Sequence, residues 1–182
     1  YIECLMLLSN LSKFIKTKKI YNLKKNKYFS SITTNSKLTN KNTIFVFDKK
    51  SKIKIDYIKE ALINHVPAII SNQYYKFIKI PQFIVSDVKF ETEVLLKKLY
   101  KNYPHKTIAI TGTNGKTSVA WYIAKILNLL NYDNISVGTI GLYKKGRKIK
   151  TVNLTTPVYE ELYKYGSSKI NNKKIFIFEA SS

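Results

Sequence analysis

Apolar residues recur along this chain in two periods: short unbroken runs, and longer stretches with an apolar residue every three or four positions. Runs rich in β-branched and aromatic residues fall at 43–47, 68–70, 81–85, 107–111 and 174–178 and predict strands, those at 43–47, 107–111 and 174–178 fully buried. Residues 31–37 read as a further strand and turn, and 135–141 as a strand ending in a glycine turn. Helical spacing predicts helices at 56–64, with Tyr57, Ile58, Ala61 and Leu62 on one side, at 91–100 and at 159–165. Another helix begins after Thr117 and buries Val119, Ala120, Ile123, Ala124, Leu127 and Leu130. The chain opens with an amphipathic helical pattern from Met6 through Leu11 and Ile15, followed by a basic, polar connector at 16–27. Residues 144–148 have the character of a hairpin tip. Strands alternating with helices imply an α/β fold.

With 182 residues, the length allows one domain or two small ones, and 45% hydrophobic content is enough for packed cores. The formal charge of +21 changes the picture only in part. Such a charge ordinarily points to nucleic acid or an anionic membrane. Here, however, Arg147 is the only arginine among the 32 basic residues, and the lysines are spread through both halves without marking one groove. No specific nucleic-acid partner is therefore expected. The single cysteine, Cys4, excludes an internal disulfide and fits a reducing compartment. The apolar run at 5–8 is too short to span a bilayer, and neither a signal peptide nor a membrane anchor is indicated. The first residue is Tyr1, and Met6 is a candidate for the true start.

The candidate chemistry sits where the run at 107–111 breaks into Gly112-Thr113-Asn114-Gly115-Lys116-Thr117-Ser118. Glycines at 112 and 115 permit backbone conformations closed to other residues, so N–H groups can approach a phosphate. The start of the following helix adds unpaired donors and a partial positive charge. Lys116 can reach terminal phosphates and the Thr117 hydroxyl can ligate magnesium. Ile110 stands where the longer nucleotide motif has its first glycine, so the match is to a shorter Gly-x-x-Gly-Lys-Thr form. The plain alternative is an ordinary glycine turn before a helix. A second signal is Glu179, at the carboxyl end of the run at 174–178. Strand carboxyl ends share one edge of a parallel sheet, which would bring Glu179 near Thr117 and offer Mg²⁺ a carboxylate. The alternative there is a solvated glutamate.

Thr-Gly-Thr-Asn-Gly-Lys-Thr resembles the ATP loop of the Mur ligases and their folylpolyglutamate synthetase relatives, which join an amino acid to a carboxylate through an acyl phosphate. Further segments resemble the tripeptide-synthetase branch of that family: Asn35-Ser36-Lys37 against its Asp-Ser-Arg turn, the run at 44–47 against its Leu-Phe-Val-Ala strand, and the helix at 57–62. Leu99-Tyr100-Lys101-Asn102-Tyr103-Pro104, Gly138-Thr139-Ile140-Gly141, Thr155-Thr156-Pro157 and Glu179-Ala180-Ser181-Ser182 extend the likeness in the family's order. His65 stands where the branch often has glycine and is read as structural.

The resemblance implies a small α/β UDP-binding domain at 1–86, a linker helix and connector at 87–106, and the first part of a P-loop parallel-sheet central domain at 107–182. It implies ATP bound by Gly112, Thr113, Asn114, Gly115, Lys116, Thr117 and Ser118, with Lys116 catalytic. Mg²⁺ would be held by Thr117 and Glu179, and the UDP-sugar substrate by Ser36, Thr155, Thr156 and Ser181. The implied reaction adds a third amino acid, diaminopimelate or lysine, to UDP-N-acetylmuramoyl-L-alanyl-D-glutamate in a bacterial cytoplasm, by a monomer. The family's second-metal histidine, modified lysine, adenine pocket and C-terminal domain would all follow Ser182, so this stretch alone is expected to lack ligase activity. The alternatives are another Mur-type ligase or folylpolyglutamate synthetase relative, a truncated remnant, or a basic binding module.

Overall fold

The computed structural model describes residues 5–24, 26–48, 55–101, 103–152, 156–167 and 174–180. The chain forms two compact units, Tyr1–Leu99 and Tyr100–Ser182. The expected α/β architecture is borne out, with parallel strands at the centre of a sheet in each unit.

In the first unit, β1 (Met6–Leu7) pairs antiparallel with β3 (Tyr28–Phe29). The helix expected from Met6 is instead this short strand and a 3-10 turn at Leu8–Lys13, which buries Leu8 and Leu11. Their three-residue spacing suits a 3-10 turn as well as an α-helix, so periodicity did not separate the two. The basic connector is also corrected: it contains β2 (Thr17–Tyr21), which pairs antiparallel with β7 (Gln82–Val85). This strand lies at the sheet edge with Lys18 and Lys19 exposed, a common way for edges to discourage further pairing. The remaining strands are β4 (Ser31–Thr33), β5 (Thr43–Phe47) and β6 (Ile69–Ser71), in the order β2-β7-β6-β5-β4, with neighbours from β4 to β7 parallel.

All of β5 is buried, as its apolar run predicts, and Phe45 and Phe47 pack with Ile58 and Ala61 of α1 (Ile55–Ile63). Tyr57, expected on the buried side of α1, is exposed instead. His65 follows α1 with φ of 59°, a left-handed conformation that ordinarily favours glycine. The helix α2 (Val88–Leu99) starts three residues before the predicted point because the Asp87 carboxylate accepts from the Phe90 amide at 2.9 Å. It buries Val88, Leu95 and Leu96 within the first unit.

The second unit contains β8 (Lys106–Ile110), α3 (Lys116–Leu129), β9 (Asn134–Gly138), β10 (Gly141–Lys144), β11 (Arg147–Lys150), α4 (Tyr159–Gly166) and β12 (Ile175–Glu179). Its strands run in the order β11-β10-β9-β12-β8, and β12 is parallel to both β8 and β9. Central placement explains the apolar composition of β12. Phe176 faces a cluster with Ile135, Val137, Leu162 and Tyr165, while Ile177 faces Ile110, Ala120 and Ala124. Successive strand residues thus serve opposite faces, one covered by α4 and the other by α3.

Two expectations fail here. The strand at 107–111 is not fully buried: β8 is the edge strand among the described residues, and Lys106, Thr107 and Ala109 are exposed. Along α3, Ala120 and Ala124 are buried and Ile123 and Leu127 partly so, but Val119 and Leu130 are exposed. The face that touches the sheet is therefore narrower than the helix's apolar content, because most of α3 is apolar. The β10–β11 hairpin turns at Lys145 and Gly146, both with positive φ, which suits the twist of a tight hairpin.

Candidate nucleotide and cation site

Strand register builds the site. Glu179 pairs with Ile110 of β8, and Phe178 pairs with Val137 of β9. The last residues of three parallel strands therefore lie side by side, and the segment after β8 begins at that edge. Gly112 and Gly115 take φ of 145° and 79°, conformations that disfavour any residue with a Cβ. Gly115 is the N-cap of α3, so the amides of Lys116, Thr117 and Ser118 in the first turn have no partner within the helix. Thr113, Asn114 and Ser118 are exposed around them.

Lys116 folds over this turn. Its Nζ donates to the Gly112 carbonyl at 2.6 Å and to the Thr113 carbonyl at 3.3 Å. The ammonium thus stands at the mouth of the loop, held by neutral acceptors that a phosphate oxygen could replace with stronger, charge-assisted bonds.

Glu179 is only 1% exposed. Thr117 Oγ1 donates to its Oε2 at 2.9 Å, Thr139 Oγ1 donates to the same oxygen at 3.1 Å, and the Thr139 amide donates to Oε1 at 3.0 Å. Among the described residues no lysine, arginine or histidine pairs with this carboxylate. A buried carboxylate surrounded by neutral donors and lacking a basic partner is a fitting place for a small cation. Thr117 and Glu179 supply oxygen only, the donor type that magnesium takes, and magnesium needs few protein ligands because it keeps waters and phosphate oxygens. No group of three or more His, Cys, Asp or Glu residues capable of holding a metal occurs among the described residues, so a site for a softer metal is not indicated there. A depression lined by Thr117, Trp121, Gly138, Ile140 and Glu179 opens beside the carboxylate.

The other expected substrate contacts are placed as follows. Ser36, in the first unit, is 5% exposed and opens a 3-10 turn at Ser36–Leu38. Its hydroxyl donates to Glu60 Oε2 at 2.5 Å, and its carbonyl accepts from Thr39 Oγ1 at 2.5 Å and from Asn64 Nδ2 at 3.3 Å. Thr156 lies half-buried just before Pro157 and the start of α4. Thr155 and Ser181 lie outside the described residues.

Sequence reasoning brought Thr117 and Glu179 together but assigned no role to Gly138, Thr139, Glu60 or Asn64. Gly138-Thr139 stood in a recognisable glycine-bracketed segment. Only the parallel register reveals that it faces Glu179. Glu60 lies on α1 and Asn64 just past its end, a spacing that alone does not identify the turn they grip.

A glycine-lysine-threonine turn at the carboxyl edge of a parallel sheet, facing a buried glutamate on the neighbouring strand, defines an α/β unit of the phosphate-loop class. Residues 110–182 match the Mur ligase middle domain. Over 157 residues the chain is 35% identical to UDP-N-acetylmuramoyl-L-alanyl-D-glutamate--2,6-diaminopimelate ligase of Rickettsia felis, a match covering 83% of this chain and 30% of that relative. It is 27% identical over 165 residues to UDP-N-acetylmuramoyl-L-alanyl-D-glutamate--L-lysine ligase of Streptococcus agalactiae serotype V, covering 89% of this chain and 34% of that one. A solved structure of a UDP-N-acetylmuramoyl-L-alanyl-D-glutamate--2,6-diaminopimelate ligase shares the fold with a TM-score of 0.60 at 22% identity, over 84% of this chain and 32% of the other. The chain spans about a third of the length of these relatives.

Proposed function

We propose that this chain is the nucleotide- and acceptor-binding part of an ATP-dependent ligase that adds the third amino acid to UDP-N-acetylmuramoyl-L-alanyl-D-glutamate in peptidoglycan synthesis. The observation that carries the reading is the hydrogen bond between Thr117 on the phosphate-type loop and buried Glu179 on the adjoining strand. The names of the diaminopimelate- and lysine-adding relatives support the substrate class.

In this reading the loop amides from Gly112 to Ser118 receive ATP phosphates, and Lys116 leaves its carbonyl partners to hold the transferring phosphoryl group. Thr117 and Glu179 would hold Mg²⁺, which neutralises charge on the phosphate oxygens. The γ-phosphoryl group passes to the terminal carboxylate of the acceptor and ADP departs. The amine of the incoming amino acid then attacks the acyl carbon, losing a proton as the amide forms and phosphate leaves.

Residues 1–86 would form the UDP-sugar domain, with Ser36 a contact, and 107–182 the ATP-binding part. Thr155, Thr156 and Ser181 complete the acceptor contacts. In this reading the protein works as a cytoplasmic monomer with no specific nucleic-acid partner. No helix among the described residues is long and apolar enough to cross a membrane.

Calorimetry with UDP-N-acetylmuramoyl-L-alanyl-D-glutamate tests the acceptor assignment. Saturable binding is expected, tighter than for UDP alone, and about tenfold weaker in Ser36→Ala, the scale of one lost hydrogen bond that leaves a polar group unpaired. Equal affinity for UDP and the muramoyl dipeptide, or no binding of either, contradicts the assignment.

A further inference from the structure

Glu179 lies against a residue with no side chain. A Cβ built on Gly138 would stand 2.0 Å from Glu179 Oε1, 2.4 Å from Cδ and 2.6 Å from Cγ. Those separations are far inside contact distance. Gly138 does not have the positive φ that would itself call for glycine, so the requirement comes from the space that the Glu179 side chain fills. The register explains why: Val137 pairs with Phe178, and the next residue on each strand brings Gly138 beside Glu179.

Thr139 then fixes the carboxylate's orientation. Its amide donates to Oε1 and its hydroxyl to Oε2, so a single residue binds both oxygens and restrains rotation about the last side-chain bond. The second oxygen is thereby held 2.9 Å from Thr117 Oγ1. A metal ligand held by packing and outer hydrogen bonds binds its cation more tightly than one left to rotate.

We infer that Gly138 and Thr139 are positioning residues for the cation site: Gly138 makes room for the Glu179 carboxylate, Thr139 orients it, and together they set how strongly magnesium promotes nucleotide binding. This rests on the nucleotide and cation reading above. Gly138→Ala expels the carboxylate from its place, whereas the strand itself accepts alanine. Thr139→Val keeps the amide bond and removes the hydroxyl bond, and Thr139→Ser restores the hydroxyl.

The test measures ATP affinity of the full chain with magnesium and with chelator, and takes the ratio as the readout. A general loss of folding lowers both affinities together, whereas misplacing Glu179 lowers the ratio. The ratio is expected to fall by about tenfold or more in Gly138→Ala and by a smaller factor in Thr139→Val, and to recover in Thr139→Ser. If Gly138→Ala fails to fold, the Thr139→Val and Thr139→Ser pair decides. An undiminished ratio in Gly138→Ala and Thr139→Val, alongside a collapsed ratio in Glu179→Gln, overturns the positioning role and leaves the cation site standing. An undiminished ratio in Glu179→Gln as well, or no gain from magnesium in the unaltered chain, overturns the cation reading and this inference with it.

Discussion

A tyrosine in the second unit makes a sharp residue-scale case. Burial chiefly pushes the Tyr103 phenol up to about 12, with a hydrogen bond to Thr107 lowering it and Tyr163 raising it further. The ring packs 4.9 Å from Tyr163 and 5.8 Å from Phe176 between centroids, which accounts for its desolvation. An unfolded tyrosine titrates near 10. Below that pH both states keep the proton, and the contribution to stability is constant. Between pH 10 and 12 the unfolded chain releases its proton first, so the folded state binds more protons and stability declines as pH rises. Urea unfolding of the second unit across this window is expected to show that decline, reduced in Tyr103→Phe. An identical slope in both proteins would contradict the assignment. At the candidate site, the informative residues are those whose local chemistry is unusual: two glycines in left-handed conformations, a lysine donating to its own loop, and a glutamate 1% exposed with hydroxyl and amide donors around it.

At the scale of elements, α4 is held by close packing that leaves no space at its last residue. A Cβ on Gly166 would stand 2.6 Å from Tyr103 Cε2 and 3.3 Å from Phe176 Cδ1. Gly166→Ala is expected to cost about 1–3 kcal/mol through overpacking, seen as a Tm lowered by several degrees. An unchanged or raised Tm would show that Tyr103 yields without cost. How far the elements were legible in the sequence follows from their position in the sheets. The runs at 43–47 and 174–178 are nearly uniform in apolar character because β5 and β12 are interior strands with both faces covered. The strand at Thr17–Tyr21 escaped notice because an edge strand can carry Lys18 and Lys19 in solvent and so reads as a connector. The run at 107–111 has interior composition, while among the described residues β8 pairs on one side only, with β12. The proximity of Thr117 and Glu179 was legible from one general rule, that parallel strands end at a common edge. Gly138 and Thr139 were not, since they face Glu179 only through the pairing of β9 with β12, which periodicity does not reveal.

On the scale of the whole molecule, the chain consists of two compact α/β units, and about a third of the length of its ligase relatives is represented. Its charge of +21 makes nonspecific attraction to polyanions unavoidable at low salt, so a nucleotide effect must be separated from charge alone. Lys116 provides that separation: it is one of 32 basic residues, and removing it barely alters the net charge while emptying the mouth of the loop. The most direct measurement is therefore ATP affinity at physiological salt, by calorimetry in the presence of magnesium, for the unaltered chain and Lys116→Ala. Saturable one-site binding is expected, weakened about 10- to 100-fold by the substitution, the scale of a lost charge-assisted phosphate contact. Equal affinity in the two proteins, or ATP binding that vanishes with modest salt as RNA binding to a basic surface does, would contradict a phosphate site at this loop.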